Sequence, residues 1–378
     1  MDQKKRRLEY IPELDGLRGL AILSVMAFHS FSPFAKGGFI GVDVFFVLSG
    51  FLITSLLVSE YDCDRSVSLK NFYMKRALRL APALILLLLV FCIASFLFAS
   101  SQQANKNYVD AVISLFYLSN WARAFSLHPP DFLGHTWSLS IEEQFYILWP
   151  VFLVTLLRLF RSRLVVLLSV ALLAVFAWAL RFYMHMNGAT PERLYNGLDT
   201  RADAIMIGCT FGVAYASGYF DKRRLAIATA RIIAVFALAS ALILLGFFFS
   251  ANWRGSFMYQ YGFFMVGVAA IVIVADVVVN DRSLVKRLLA SKALIWVGSI
   301  SYGLYLWHYP IFRVLFSLKM SSLTVLAVGS MITFAVAALS YLFMERPILK
   351  LKHRFAQKVP DLTSEFQSKN LGMRHIQE

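Results

Sequence analysis

Few residues in this chain can do chemistry, and those few fall at telling spacings. Arg18 and His29 stand eleven positions apart in PELDGLRGLAILSVMAFH. Eleven residues are close to three helical turns, so both side chains face the same way, about 16 Å apart in depth. They cannot touch, yet they can hold the two ends of one long ligand. Arg76 and Arg79, three apart in NFYMKRALRLAP, set two guanidinium forks on one helical face. Planar guanidinium donors meet phosphate oxygens two at a time, so this pair suits a phosphate. In TWSLSIEEQFYILWP, Ser138, Glu142 and Tyr146 recur at helical spacing as one polar stripe. Glu142 is therefore the better inward candidate, whereas Glu143 points about 100° away and can face water.

Three further segments carry polar groups of less certain use. Asp43 opens GVDVFFVLSGFLIT, where Ser49 and Gly50 are small enough for close helix packing. Arg201 and Asp203 can pair with each other or line a pore. His308, in SYGLYLWHYPI, precedes Pro310, which frees a backbone carbonyl and kinks its helix; Tyr302, Tyr305 and Tyr309 can belong to an aromatic belt. Plainer roles compete throughout: interface anchoring for the arginines, helix packing for His29, and a headgroup location for Glu142 and Glu143.

What must position these residues is a membrane domain. Of 378 residues 59% are hydrophobic and 16% charged, with 34 Phe and 7 Trp, and the mean hydropathy is +0.65. That balance excludes an ordinary soluble enzyme, a disordered chain, collagen and a coiled coil. About 20 mostly apolar residues cross a bilayer core of about 30 Å. About ten such stretches follow one another, near 15–33, 38–59, 80–100, 137–157, 164–184, 201–217, 232–250, 257–277, 293–316 and 321–343. The stretch Ile113 to Trp121 is too brief to span and should lie at the outer surface or re-enter. An ionisable group inside a span costs several kcal/mol, about 2.5–3.5 on insertion scales, so each is a functional hypothesis unless it snorkels to an interface.

The net charge of +15 would suggest nucleic acid in a soluble protein, but here its distribution sets topology. With the first basic run, Lys4, Lys5, Arg6 and Arg7, in the cytoplasm, about 28 of the 37 Lys and Arg fall inside. Both termini are then expected in the cytoplasm. The segment after that run holds Asp15, Arg18 and His29 and lacks a small-residue cleavage site, which reads as a retained first helix. Cys63, Cys92 and Cys209 form no CxxC or Cys/His cluster, so neither a zinc site nor a disulfide framework is expected. A transmembrane domain over 1–347 and a polar cytoplasmic tail over 348–378 are expected, with no glycine-rich phosphate loop.

Taken in order, LDGLRGLAILSVMAFH, GVDVFFVLSGFLIT, FYMKRALRLAP, TWSLSIEEQFYILWP and SYGLYLWHYPI resemble the acyltransferase 3 family of integral membrane acyltransferases, over nearly the whole chain. The resemblance implies a ten-helix bundle in the bacterial inner membrane. Such a protein moves an acyl group, commonly acetyl from acetyl-CoA, onto a hydroxyl of a glycan or related acceptor, with no metal. Some members add a second, extracytoplasmic hydrolase-like domain, for which this chain is expected to end too early. Carried over by motif, His29 becomes the catalytic histidine, Arg18 its helix partner, Arg76 and Arg79 the donor-binding pair, and Glu142 the acid of the fourth span. His29 would then act as general base on the acceptor hydroxyl or carry the acyl group itself. A competing class is a proton-coupled secondary transporter or flippase for a glycan or lipid-linked substrate, whose expected signature of two related halves with broken helices does not stand out.

Overall fold

The computed structural model describes residues 10–222 and 225–350. The basic run at 4–7, Arg223, Arg224 and nearly all of the tail expected at 348–378 lie outside the described residues. Within them every regular element is helical. The chain runs through α1 (Pro12–His29), α2 (Gly41–Asp64), α3 (Leu69–Phe98), α4 (Ser101–Leu115), α5 (Ser119–Ala124), α6 (Thr136–Leu159) and α7 (Arg163–Met186). It continues through α8 (Pro191–Asn196), α9 (Leu198–Ala216), α10 (Ile227–Ser250), α11 (Phe263–Val279), α12 (Leu284–Leu289), α13 (Lys292–Ser299) and α14 (Ser301–Ser317), and closes with the span Ser322–Leu349.

Seven helices among the described residues are long and apolar enough to cross a membrane: Gly38–Asp64, Leu69–Phe98, Thr136–Leu159, Arg163–Met186, Ile227–Ser250, Met258–Val279 and Ser322–Leu349. The chain is an integral, multi-pass membrane protein. The three remaining expected spans, α1, α9 and α13 with α14, do not qualify on length and composition. They carry Arg18 and His29 in α1, Arg201 and Asp203 in α9, and His308 in α14. Apolar spans occur both inside and outside the bundle: Gly38–Asp64 is 83% buried, whereas Ile227–Ser250 faces outward. The apolar stretch of α10 is 11% buried and faces outward, whereas α9 buries Arg201 and Asp203 together with most of its length. A helix wrapped by other helices can carry charge that a lipid-facing one cannot.

Glycines let the inner helices meet backbone to backbone. A Cβ on Gly298 of α13 would fall 1.7 Å from the Asp15 carbonyl oxygen of α1, and one on Gly50 of α2 would fall 2.1 Å from the Ile205 carbonyl oxygen of α9. No side chain fits at either crossing. The first crossing holds α1 against the α13–α14 corner at Ile300, which brings His29 within reach of α14. The second seats α2 on α9, leaving Ser49, next to Gly50, free to face α6. The segment from Ile113 to Trp121 folds as the end of α4, a short turn and the start of α5, too short to span.

Candidate active site

Arg18, Arg76, Arg79, Glu142, Tyr146 and Tyr305 line one cleft between α1, α3, α6 and α14. Helical spacing aims Arg76 and Arg79 into it together, as their separation of three predicts. The Arg76 guanidinium rests 4.8 Å from the centre of the Tyr146 ring. Neither Arg76 nor Arg79 has a carboxylate within ion-pair distance among the described residues, while Arg18 donates to Asp15 Oδ1 at 3.0 Å. Glu142 is the acid of the cleft. Ser49 Oγ donates to its Oε1 at 3.0 Å, and the Tyr146 hydroxyl donates to Ser49 Oγ at 3.0 Å. Ser49, read from sequence as a packing residue, thus fixes a carboxylate. With three arginines around one glutamate, the cleft is net positive and suits an anion.

His29 lies elsewhere. Its Nδ1 is 2.9 Å from Nε2 of His308 on α14, and the edge-on Tyr309 ring is 4.9 Å from its own. No hydrogen bond joins it to Glu142 among the described residues. A third imidazole, His135, stands just before α6, 5.5 Å from His308 and stacked on Tyr309 at 5.1 Å. Its Nε2 is 3.1 Å from the carbonyl oxygen of Leu306. That carbonyl is the one Pro310 frees, four residues on, by having no N–H. The Arg123 guanidinium is held by Asn196 Oδ1 at 3.2 Å and the Pro130 carbonyl at 3.3 Å.

Tyr305 joins the two groups. Its ring lines the arginine cleft, and its hydroxyl donates to the His135 carbonyl at 2.8 Å and sits 2.6 Å from Ser138 Oγ. Its own carbonyl takes a hydrogen bond from His308 at 2.7 Å. The cleft and the histidine cluster therefore share one rigid segment of α14, two turns long.

The other intramembrane charges are paired, but not as their order in the chain suggests. Arg201 and Asp203 turn away from each other: Arg201 Nη2 donates to Asp43 Oδ1 at 2.7 Å, and Asp203 takes both prongs of Arg181 at 2.7 and 2.6 Å. All four side chains are fully buried, and these pairs tie α2, α7 and α9 together. His135 and Tyr305 are the functional candidates that sequence spacing missed. The carbonyl that Pro310 frees was legible, but nothing in the sequence joined it to His135.

Comparison with known proteins places the chain in a family. A family model described as an acyltransferase domain matches residues 11–345. The peptidoglycan O-acetyltransferase of Listeria monocytogenes is 34% identical over 355 residues, which cover 90% of this chain and 56% of that protein. An O-acetyltransferase of Staphylococcus aureus (strain MRSA252) is 32% identical over 385 residues, covering 97% of this chain and 63% of that protein. The chain therefore spans little more than half the length of such relatives. No solved structure matches.

Proposed function

Because the chain belongs to the acyltransferase family whose domain it matches over residues 11–345, we propose that it is a membrane-embedded O-acetyltransferase. It takes an acetyl group from acetyl-CoA and places it on a hydroxyl of a cell-surface glycan. The relatives named as peptidoglycan O-acetyltransferases favour a peptidoglycan-type acceptor. The bundle crosses the bacterial inner membrane ten times, counting α1, α9 and the α13–α14 pair, with both termini in the cytoplasm; the excess of basic residues in the inside loops supports that orientation.

The observation that carries this reading is the cleft itself. Arg76 and Arg79 have no carboxylate partner among the described residues, so an incoming phosphate completes them without displacing one of those. Arg18 extends the positive surface along α1 toward His29. Glu142, tethered by Ser49, is the carboxylate that shares the cleft with the three guanidinium groups. His29, about 16 Å deeper along α1, meets the thioester end of the donor's long arm and removes the proton of the acceptor hydroxyl as it attacks.

The test is direct. Purified protein given acetyl-CoA labelled in the acetyl group, together with a peptidoglycan fragment, should release free thiol and add label to the fragment in equal amounts. Thiol release without labelled glycan, or neither, would sink the proposal. Uptake of the fragment into proteoliposomes with no label transferred would support the transporter class instead.

A further inference from the structure

His29 has two ring nitrogens, and only one can take a proton from a substrate. Which one follows from a chain of hydrogen bonds that starts at the backbone. His308 Nδ1 lies 2.7 Å from the Tyr305 carbonyl oxygen and 3.1 Å from that of Leu304. Carbonyl oxygens only accept, so His308 Nδ1 must carry a hydrogen. His308 is fully buried, and the groups around it are the rings of His29, His135, Tyr305, Tyr309 and Phe312, with no carboxylate among the described residues. A second proton would leave an unpaired charge in an apolar interior. His308 Nε2 is therefore bare and accepts, and the atom facing it at 2.9 Å, His29 Nδ1, is the donor.

We propose that His308 is a positioning residue that locks His29 in the Nδ1–H tautomer, leaving Nε2 of His29 as the nitrogen that takes the acceptor's proton. The inference rests on the acetyl-transfer reading above. The acceptor oxygen bonds to the thioester carbonyl carbon while its proton passes to His29 Nε2. The carbon–sulfur bond then breaks, and the leaving sulfur receives that proton back, giving the ester and a free thiol. Through both steps His29 Nδ1–H stays hydrogen-bonded to His308 Nε2, which steadies the transient imidazolium and holds the ring's orientation. His135 does not compete for the role. Its Nε2–H is spent on the Leu306 carbonyl, and its Nδ1, without a partner among the described residues, is buried where no acceptor hydroxyl reaches it.

The test compares His308→Leu and His308→Gln in the full chain, in detergent or nanodiscs, with the nitrogen spectrum of 15N-histidine-labelled protein. His29 signals are assigned by difference against His29→Gln. The wild type should show His29 protonated at Nδ1 and bare at Nε2. His308→Leu, with no acceptor, should lose that tautomer's dominance and cut kcat about a hundredfold or more, with KM for acetyl-CoA unchanged. His308→Gln carries an amide oxygen near the position of the lost Nε2 and should recover at least about tenfold of the activity. An Nε2–H tautomer in the wild type overturns the proposal. So does a His308→Leu enzyme within about threefold of wild type, or a His308→Gln enzyme that is folded and no better than His308→Leu. The spectrum needs no turnover. Absence of transfer by the wild type would therefore overturn the acetyltransferase reading, while the tautomer still decides this one.

Discussion

Arg181 of α7 and Asp203 of α9 meet as a two-pronged ion pair, 2.7 and 2.6 Å, with neither side chain open to solvent. The remaining Arg181 donors are also engaged: Nε reaches the Tyr259 carbonyl at 3.1 Å, and Nη1 the Thr200 carbonyl at 2.7 Å. Removing one charge strands the other in the interior, which typically costs about 3–5 kcal/mol, whereas replacing both by apolar groups is often near neutral. Asp203→Asn should therefore lower the melting temperature in detergent sharply, and the double variant Arg181→Met with Asp203→Leu should recover most of it. A single variant that melts like wild type would show that the pair adds little to stability.

Arg76 and Arg79 are predicted to act on the donor. Charge-assisted hydrogen bonds contribute about 1.5–3 kcal/mol each, so Ala at either position should weaken acetyl-CoA binding by about tenfold or more. Lys keeps the charge and loses the planar fork, so Arg79→Lys should recover only part of the loss. Calorimetry with the purified protein measures both. Donor affinity unchanged by either Ala substitution would return the pair to membrane-interface anchors.

His29→Ala should abolish acetyl transfer, by about 10²–10⁴-fold for loss of a general base, and leave donor affinity near wild type. The two effects should separate because His29 hydrogen-bonds on α14 and, among the described residues, shares no hydrogen bond with the arginine cleft. Transfer near the wild-type rate would remove His29 from the chemistry.

How far the sequence could be read depended on where each partner sat in the chain. The Arg76 and Arg79 pair was legible because both lie on one helix, where a separation of three sets a common face. Glu142 was legible for the same reason, since Tyr146 follows it one turn on. Arg201 and Asp203 misled because positions two apart on a helix face away from each other, and their true partners, Asp43 and Arg181, come from other helices. Ten spans were expected and seven qualify on length and apolarity. The three that do not qualify carry Arg18, Arg201 and His308, charges and polar groups that burial among other helices permits and that hydropathy counts against a span. His135 was out of reach: it lies outside any helical face, and its partner carbonyl is 171 positions away.

Pro310 offers the last test, because it trades helix stability for a free carbonyl. Proline inside a helix costs about 3 kcal/mol relative to alanine, so Pro310→Ala should hold or raise the melting temperature. The same substitution supplies an N–H at position 310 that competes with His135 Nε2 for the Leu306 oxygen. Losing that bond unseats His135, which stacks on Tyr309, the ring set edge-on against His29. The expected result is a protein at least as stable as wild type with acetyl transfer reduced about tenfold and acetyl-CoA affinity unchanged. If Pro310→Ala transfers acetyl at the wild-type rate, the carbonyl that Pro310 frees contributes to helix packing and not to the histidine cluster.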